Sequence, residues 1–235
     1  MLNSEHDNII ASAYLQVINN IAKSNKIIVE SKEKPVMKVK AKIKTKIAEA
    51  GNKQPDKDSS LNLINACSDG DLNRVITLLK EGANINLIEN STQKTPIEAA
   101  ITNNHIEIVQ YLINKGVNLL MVDENNVSPL MLACNLGYFP IIQLLLEQPD
   151  INVNVQENYT GYTALMIVLD SNILEVSEKE ELVKMLISKN ANLNIQDEQY
   201  GLTALDRTNT SEMEDIKRLL ISHNGMSSEE LDKIK

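Results

Sequence analysis

Three histidines, two cysteines and a large set of carboxylates are the residues of this chain that could carry catalysis or hold a metal. His6, His105 and His223 fall in separate segments, and none stands at a ligand spacing from another histidine or from Cys67 or Cys134. Structural metal sites need such residues in close pairs, so the spacing argues against a metal. Nucleophilic catalysis would call for a Gly-x-Ser-x-Gly elbow or a cysteine brought against a histidine, and phosphate binding for a glycine-rich loop opening a helix. None of these is written in the chain. The carboxylates are scattered over solvent-facing positions, without the concave, mixed surroundings that shift a pKa toward acid–base work. The expectation is a chain with no catalytic residue, no metal and no cofactor.

Recognition is the remaining chemistry, and the segments that would position it recur. Thr95-Pro96-Ile97-Glu98-Ala99 is followed by Ser128-Pro129-Leu130-Met131-Leu132, then by Thr163-Ala164-Leu165 and Thr203-Ala204-Leu205. The interval is close to that of repeat architectures with a period of about 33 residues. Each block leads to a second apolar run, at 75–79, 108–113, 141–146, 182–187 and 216–221. A turn signature closes the unit, as in Gly82-Ala83-Asn84-Ile85-Asn86, Gly116-Val117-Asn118 and Asn190-Ala191-Asn192-Leu193-Asn194. Two short helices and a turn per unit predict an all-α stack rather than a globule. One Phe and no Trp leave its core to Leu, Ile and Val.

This pattern resembles the ankyrin repeat family over residues 60–225. The unit at 90–120 carries it best, with Thr95-Pro96-Ile97, Ala100, His105-Ile106-Glu107-Ile108-Val109 and Gly116 at the family's spacing. The resemblance implies an α-solenoid of stacked helix-turn-helix units joined by β-turn fingers. The expected units are 60–88, 89–121, 122–155, 156–195 and 196–225, the first and last acting as caps. The family's signature histidine is replaced by Glu98, Met131, Met166 and Asp206. In the fourth unit residues 170–179 are expected to lengthen the link between helices, with Ser177 as the N-cap of the second helix. The segment 226–235 is expected to be a tail with few contacts. Cys67 and Cys134, in small slots two repeats apart, are expected to be inert core residues.

Charge divides the chain. Residues 1–60 hold 11 Lys against 7 Asp and Glu, and the remainder holds 12 Lys and Arg against 25 acids. An acidic stack argues against nucleic-acid binding, which needs clustered cations. No apolar run of about 18 residues is present to span a membrane, and no secretory leader is visible. Apolar residues between 9 and 22 recur every fourth position and predict an amphipathic helix at 7–23. Lys38, Lys40, Lys42, Lys44 and Lys46 alternate with apolar residues; the stretch reads as a linker, or as a tether to anionic membrane. The expected location is cytoplasmic. Because 28 Asn and 27 Ile resemble the composition of ankyrin proteins from intracellular bacteria, export into a host cell by a signal not readable here is a second expectation.

The expected function is that of a non-catalytic protein-binding scaffold, with an effector acting on a host protein as one version. The alternative is a targeting subunit whose segment 1–59 supplies an activity or a membrane tether. The resemblance implies that partners meet the finger residues: Lys94, Glu124, Asn125 and Val127, then Tyr159 and Tyr162, then Tyr200 and Leu202. The expected hot spot joins Tyr159, Tyr162, Tyr200 and Leu202 beneath an acidic rim of Glu157, Asp197 and Glu198. Asn90, Asp123, Asn158 and Glu198 are expected to hold the turns themselves.

Overall fold

The computed structural model describes residues 57–90 and 92–234. The expected helix at 7–23 and the lysine segment 38–46 lie outside the described residues. Five helix pairs succeed one another. The inner member is α1 (Lys57–Asp69), α3 (Pro96–Thr102), α5 (Pro129–Leu136) or α7 (Ala164–Asp170); in the last unit it is a 3-10 turn, Leu205–Arg207. The outer member is α2 (Leu72–Lys80), α4 (Ile106–Asn114), α6 (Phe139–Leu146), α8 (Val176–Ser188) or α9 (Glu214–Ser222), and a short α10 (Ser228–Asp232) follows.

The recurring Thr/Ser block starts the inner helices. Thr95, Ser128 and Thr163 have extended backbones, and their hydroxyls accept from the N–H groups of Glu98, Met131 and Met166. Each satisfies one of the N–H groups that a helix start leaves without an intrahelical partner. Pro96 and Pro129 stand at the first helical position, where a missing N–H is harmless. The residues that replace the signature histidine each find another use. Glu98 completes a capping box with Thr95, Met131 and Met166 are buried in the core, and Asp206 accepts from Thr203 and from the Ser228 N–H.

Packing is between neighbours. The inner row runs α1 to α3 to α5 to α7 to the 3-10 turn, the outer row α2 to α4 to α6 to α8 to α9, and within a unit each inner helix meets its outer partner. One continuous aliphatic core from Leu63 to Leu220 fills the space between the rows. Ala100 and Ala133, on successive inner helices, are completely buried there. His105 stitches the first two units, its Nε2 donating to the Ser68 carbonyl at 3.0 Å. Its ring lies so near Gly70, at φ +78°, that a Cβ there would come within 2.7 Å of it, so both space and backbone conformation require glycine.

A second set of joints is polar and periodic. On the turns that close the units, Asn86 Oδ1 accepts from the Asn118 N–H at 2.8 Å, Asn154 from Asn192 at 2.7 Å, and Asn194 from Met226 at 2.8 Å. Asn154 and Asn194 also donate through Nδ2 to the carbonyls of Asn190 and Asn224 in the next unit. The Ser60 hydroxyl makes the corresponding bond to Asn84 at the start of the stack. Leu120 occupies the equivalent place between the second and third units. A leucine offers no acceptor, and this rung is missing.

Three expectations are corrected. The segment after 225 is not a loose tail: the Met226 carbonyl accepts from the Thr203 hydroxyl at 2.8 Å, and the N–H groups of Met226 and Ser228 bind Asn194 and Asp206. Ser177 does not cap α8, which begins at Val176 with Glu175 as N-cap and the Glu178 carboxylate accepting the Glu175 N–H. The extra residues of this unit are therefore shared between a link of 171–175 and an earlier helix start. The fifth unit has no inner α-helix because Thr208, buried, turns its hydroxyl onto the Leu205 carbonyl at 2.7 Å and competes for the helical bond.

Two measurements check this architecture. Replacing Ala133 by Leu overpacks the inner row and should cost about 1–3 kcal/mol of unfolding free energy; an unchanged denaturant midpoint would contradict the burial of Ala133. Replacing Leu120 by Asn supplies the missing rung and should raise stability by about 0.5–1.5 kcal/mol with an unchanged denaturant slope. Destabilisation would show that the joint at 118–152 has a different geometry.

Candidate protein-binding surface

The fingers are built on a carboxylate at their first residue. Asp123 Oδ1 accepts the N–H groups of Asn125 and Val127, the Glu157 carboxylate those of Tyr159, Thr160 and Tyr162, and Asp197 those of Tyr200 and Leu202. Glu89 accepts from the Thr92 hydroxyl in the second unit's finger. The turn-holding residues are thus Glu89, Asp123, Glu157 and Asp197; only Asp123 among the four expected positions does this work. Backbone pairing explains the shift. The finger at 123–127 closes on five residues, whereas Glu89 pairs with Lys94, Glu157 with Tyr162 and Asp197 with Leu202, across six.

Successive fingers are zipped. The Asn158 N–H donates to the Asn125 carbonyl at 2.9 Å and the Glu198 N–H to the Thr160 carbonyl at 2.7 Å. Gly161, at φ +71°, lies so close to Glu198 that a Cβ would meet its side chain at 2.7 Å. Beneath these fingers Arg207, its side chain only 5 % exposed, bonds Asp170 and Asp197 and donates to the Tyr162 hydroxyl at 2.8 Å. Its guanidinium lies 4.1 Å from the centroid of the Tyr162 ring, a stacked cation–π contact. The sequence reading missed this cluster, because Arg207 joins partners from three different segments.

The expected site residues separate accordingly. Tyr159 and Tyr200 are 76 % and 69 % exposed on neighbouring fingers. Tyr162 is half-buried against Arg207, and Asp197 is buried beneath it rather than standing on an acidic rim. Leu202, Asn125 and Val127 are half-buried, Lys94 and Glu124 exposed. Lys94, Glu124, Asn125 and Val127 share a cleft of about 300 Å³. Two further clefts, of about 260 and 290 Å³, continue along the inner helices and share Asn135, Tyr162 and Ile167. Inner-helix residues such as Leu132 and Ile167 therefore line the surface as much as the finger tips do, and the sequence reading did not single them out.

Among the described residues neither cysteine is placed for nucleophilic chemistry. Cys67 and Cys134 are free and buried; burial pushes the Cys67 thiol up to about 12 and raises that of Cys134 as well, which keeps both protonated and unreactive. Among the described residues no group of three or more His, Cys, Asp or Glu is arranged to hold a metal. Nor is any described helix long and apolar enough to cross a membrane.

A family model described as ankyrin repeats in three copies matches residues 43–123, 63–157 and 117–197. The chain belongs to the ankyrin repeat family, whose stacked units are protein–protein interaction modules. Among similar proteins, YahD of Escherichia coli (strain K12), named for its ankyrin repeats, is 27% identical over 192 residues, covering 67% of this chain and 92% of YahD. The mouse B-cell lymphoma 3 protein homolog is 23% identical over 153 residues, 64% of this chain and 33% of that protein. The human transient receptor potential cation channel subfamily A member 1 is 31% identical over 97 residues, 41% of this chain and 8% of the channel. The chain thus spans most of YahD but a third or less of the other two.

The finger carboxylates give a pH test. Desolvation alone would raise the Glu157 carboxyl, but hydrogen bonds from the Thr160 hydroxyl and from the N–H groups of Tyr159, Thr160 and Tyr162 outweigh it and hold its pKa below the usual range. A lowered folded-state pKa contributes stability above the unfolded value, about 4.3, that is lost as pH falls through the folded value. Glu157→Gln should therefore lower the unfolding midpoint at pH 7 and flatten its fall under acid. An undiminished acid dependence would show that Glu157 does not hold the finger.

Proposed function

We propose that this protein is a non-catalytic scaffold that binds a partner protein across its finger tips and inner helices, with Tyr159 and Tyr200 as anchors. One observation carries the assignment of the anchors. The two rings stand exposed on adjacent fingers, whereas Tyr162 is committed to Arg207. Exposed aromatics without a packing role are the side chains that dominate interface energetics when a partner buries them. Leu202, half-buried, and Lys94, Glu124, Asn125 and Val127 on the preceding fingers extend the same surface. We infer a cytosolic site of action, in the producing cell or in a host cell after export; two free, buried cysteines are consistent with a reducing compartment.

Affinity capture with the full chain supplies the partner for the test. Substituting both Tyr159 and Tyr200 by Ala should weaken that partner's binding by about 2 kcal/mol or more while leaving the unfolding midpoint nearly unchanged. A large loss of stability with intact binding would mean that the rings pack the fingers instead.

A further inference from the structure

The three clefts of the inner face form one groove. The first shares Val127 and Leu132 with the second, and the second shares Asn135, Tyr162 and Ile167 with the third, which ends at the exposed Ile173. We propose that this groove takes a cationic segment of the partner in polyproline II conformation, with an apolar side chain at every third residue and lysine or arginine between. The inference rests on the protein-binding reading above and adds the chemistry of the partner.

Spacing gives the period. The first cleft lies between the second and third units and the other two between the third and fourth; packed helices are about 8–10 Å apart, so the first and second clefts are separated by about that distance. Three residues of a polyproline II chain cover about 9 Å and return the side chain to the same face, whereas a β-strand would turn it away. One partner side chain in three therefore comes over the first cleft and then the second, which Val127, Leu132 and Ile167 line with apolar surface, and the exposed Ile173 adds apolar surface at the end of the third.

Charge gives the residues between. Glu98, Asp123 and Glu124 line the first cleft and Glu157 the second. Among the described residues none of these four is in an ion pair. Among the described residues that line the three clefts, Lys94, in the first, is the one cation. Arg207 does not offset them, because it is buried and already shared between Asp170 and Asp197. Desolvation, with the Asp123 carboxylate adding to it, already pushes the Glu98 carboxyl up. A cationic segment relieves that repulsion, and an anionic one would meet like charge over the first and second clefts.

The test is fluorescence anisotropy of labelled peptides with the full chain. The probe is a lysine peptide of about ten residues with isoleucine at every third position, one face of a polyproline II helix. One control has the same composition with its isoleucines adjacent, and another has glutamate for lysine. The probe should bind at least about tenfold tighter than the adjacent-isoleucine control, the glutamate peptide should not bind, and affinity should fall with salt. Glu124→Lys and Ile173→Lys, both at exposed positions, should each weaken the probe about fivefold or more without moving the unfolding midpoint. Equal binding of both lysine peptides, or indifference to both substitutions, would overturn the proposal. So would failure of every peptide to bind while a captured partner still depends on Tyr159 and Tyr200; that outcome leaves the protein-binding reading standing. A captured partner indifferent to both tyrosines, with the probe bound in the groove, would count against the finger-tip anchors and support the groove.

Discussion

No unit of this chain encloses a core of its own, and everything else in the structure follows from that constraint. An inner helix of seven or eight residues, such as Pro96–Thr102 or Pro129–Leu136, is too short to be stable alone. It persists because Ile97, Ala100, Leu130 and Ala133 are sealed between the helices before and after it. The small side chains allow the approach, and the aliphatic ones supply the transfer free energy, about 25 cal/mol per Å² of apolar surface removed from water. Stability in such an array is a chain of nearest-neighbour terms. A defect at one joint is therefore felt there first.

Apolar contact does not satisfy the backbone on the turns between units, and asparagine does. Its carboxamide accepts with one end and donates with the other, which is how Asn154 and Asn194 each bind two backbone groups of the following unit. Carboxylates do the equivalent work in the fingers, where Glu157 and Asp197 gather the N–H groups of their own turns. Consequently much of the chain's polar character is structural. Function is left to the rings of Tyr159 and Tyr200, which these roles do not consume, and to the inner-face groove, where the capping and finger carboxylates still present negative charge beside apolar surface.

The period, the helix pairs and the capping residues were legible because each is written locally: Thr95, Ser128 and Thr163 precede their helices and Gly82 and Gly116 follow theirs. The abundance of asparagine was equally visible, but its meaning was not, since Asn86 and Asn118 are joined across a full unit. Finger register failed for a similar reason. Whether a turn closes over five residues or six depends on which backbone groups pair, and Asp123-Glu124 and Glu157-Asn158 look alike in sequence. The role of Arg207 needed Asp170, Tyr162 and Asp197 to be brought together by the fold. The contacts of Met226 and Ser228 were hidden because their partners, Asn194, Thr203 and Asp206, lie in the preceding turns.

Native-state amide exchange resolved by residue tests the nearest-neighbour account most directly. The amides of Asn118, Asn192 and Met226, each held by an asparagine of the preceding unit, should be protected well beyond the amide of Asn152, which faces Leu120 at the joint without a rung. Exchange at Asn152 should also report opening of the stack at lower free energy than global unfolding. Protection of Asn152 equal to that of the other three would contradict the claim that the asparagine rungs hold together the joints that carry them.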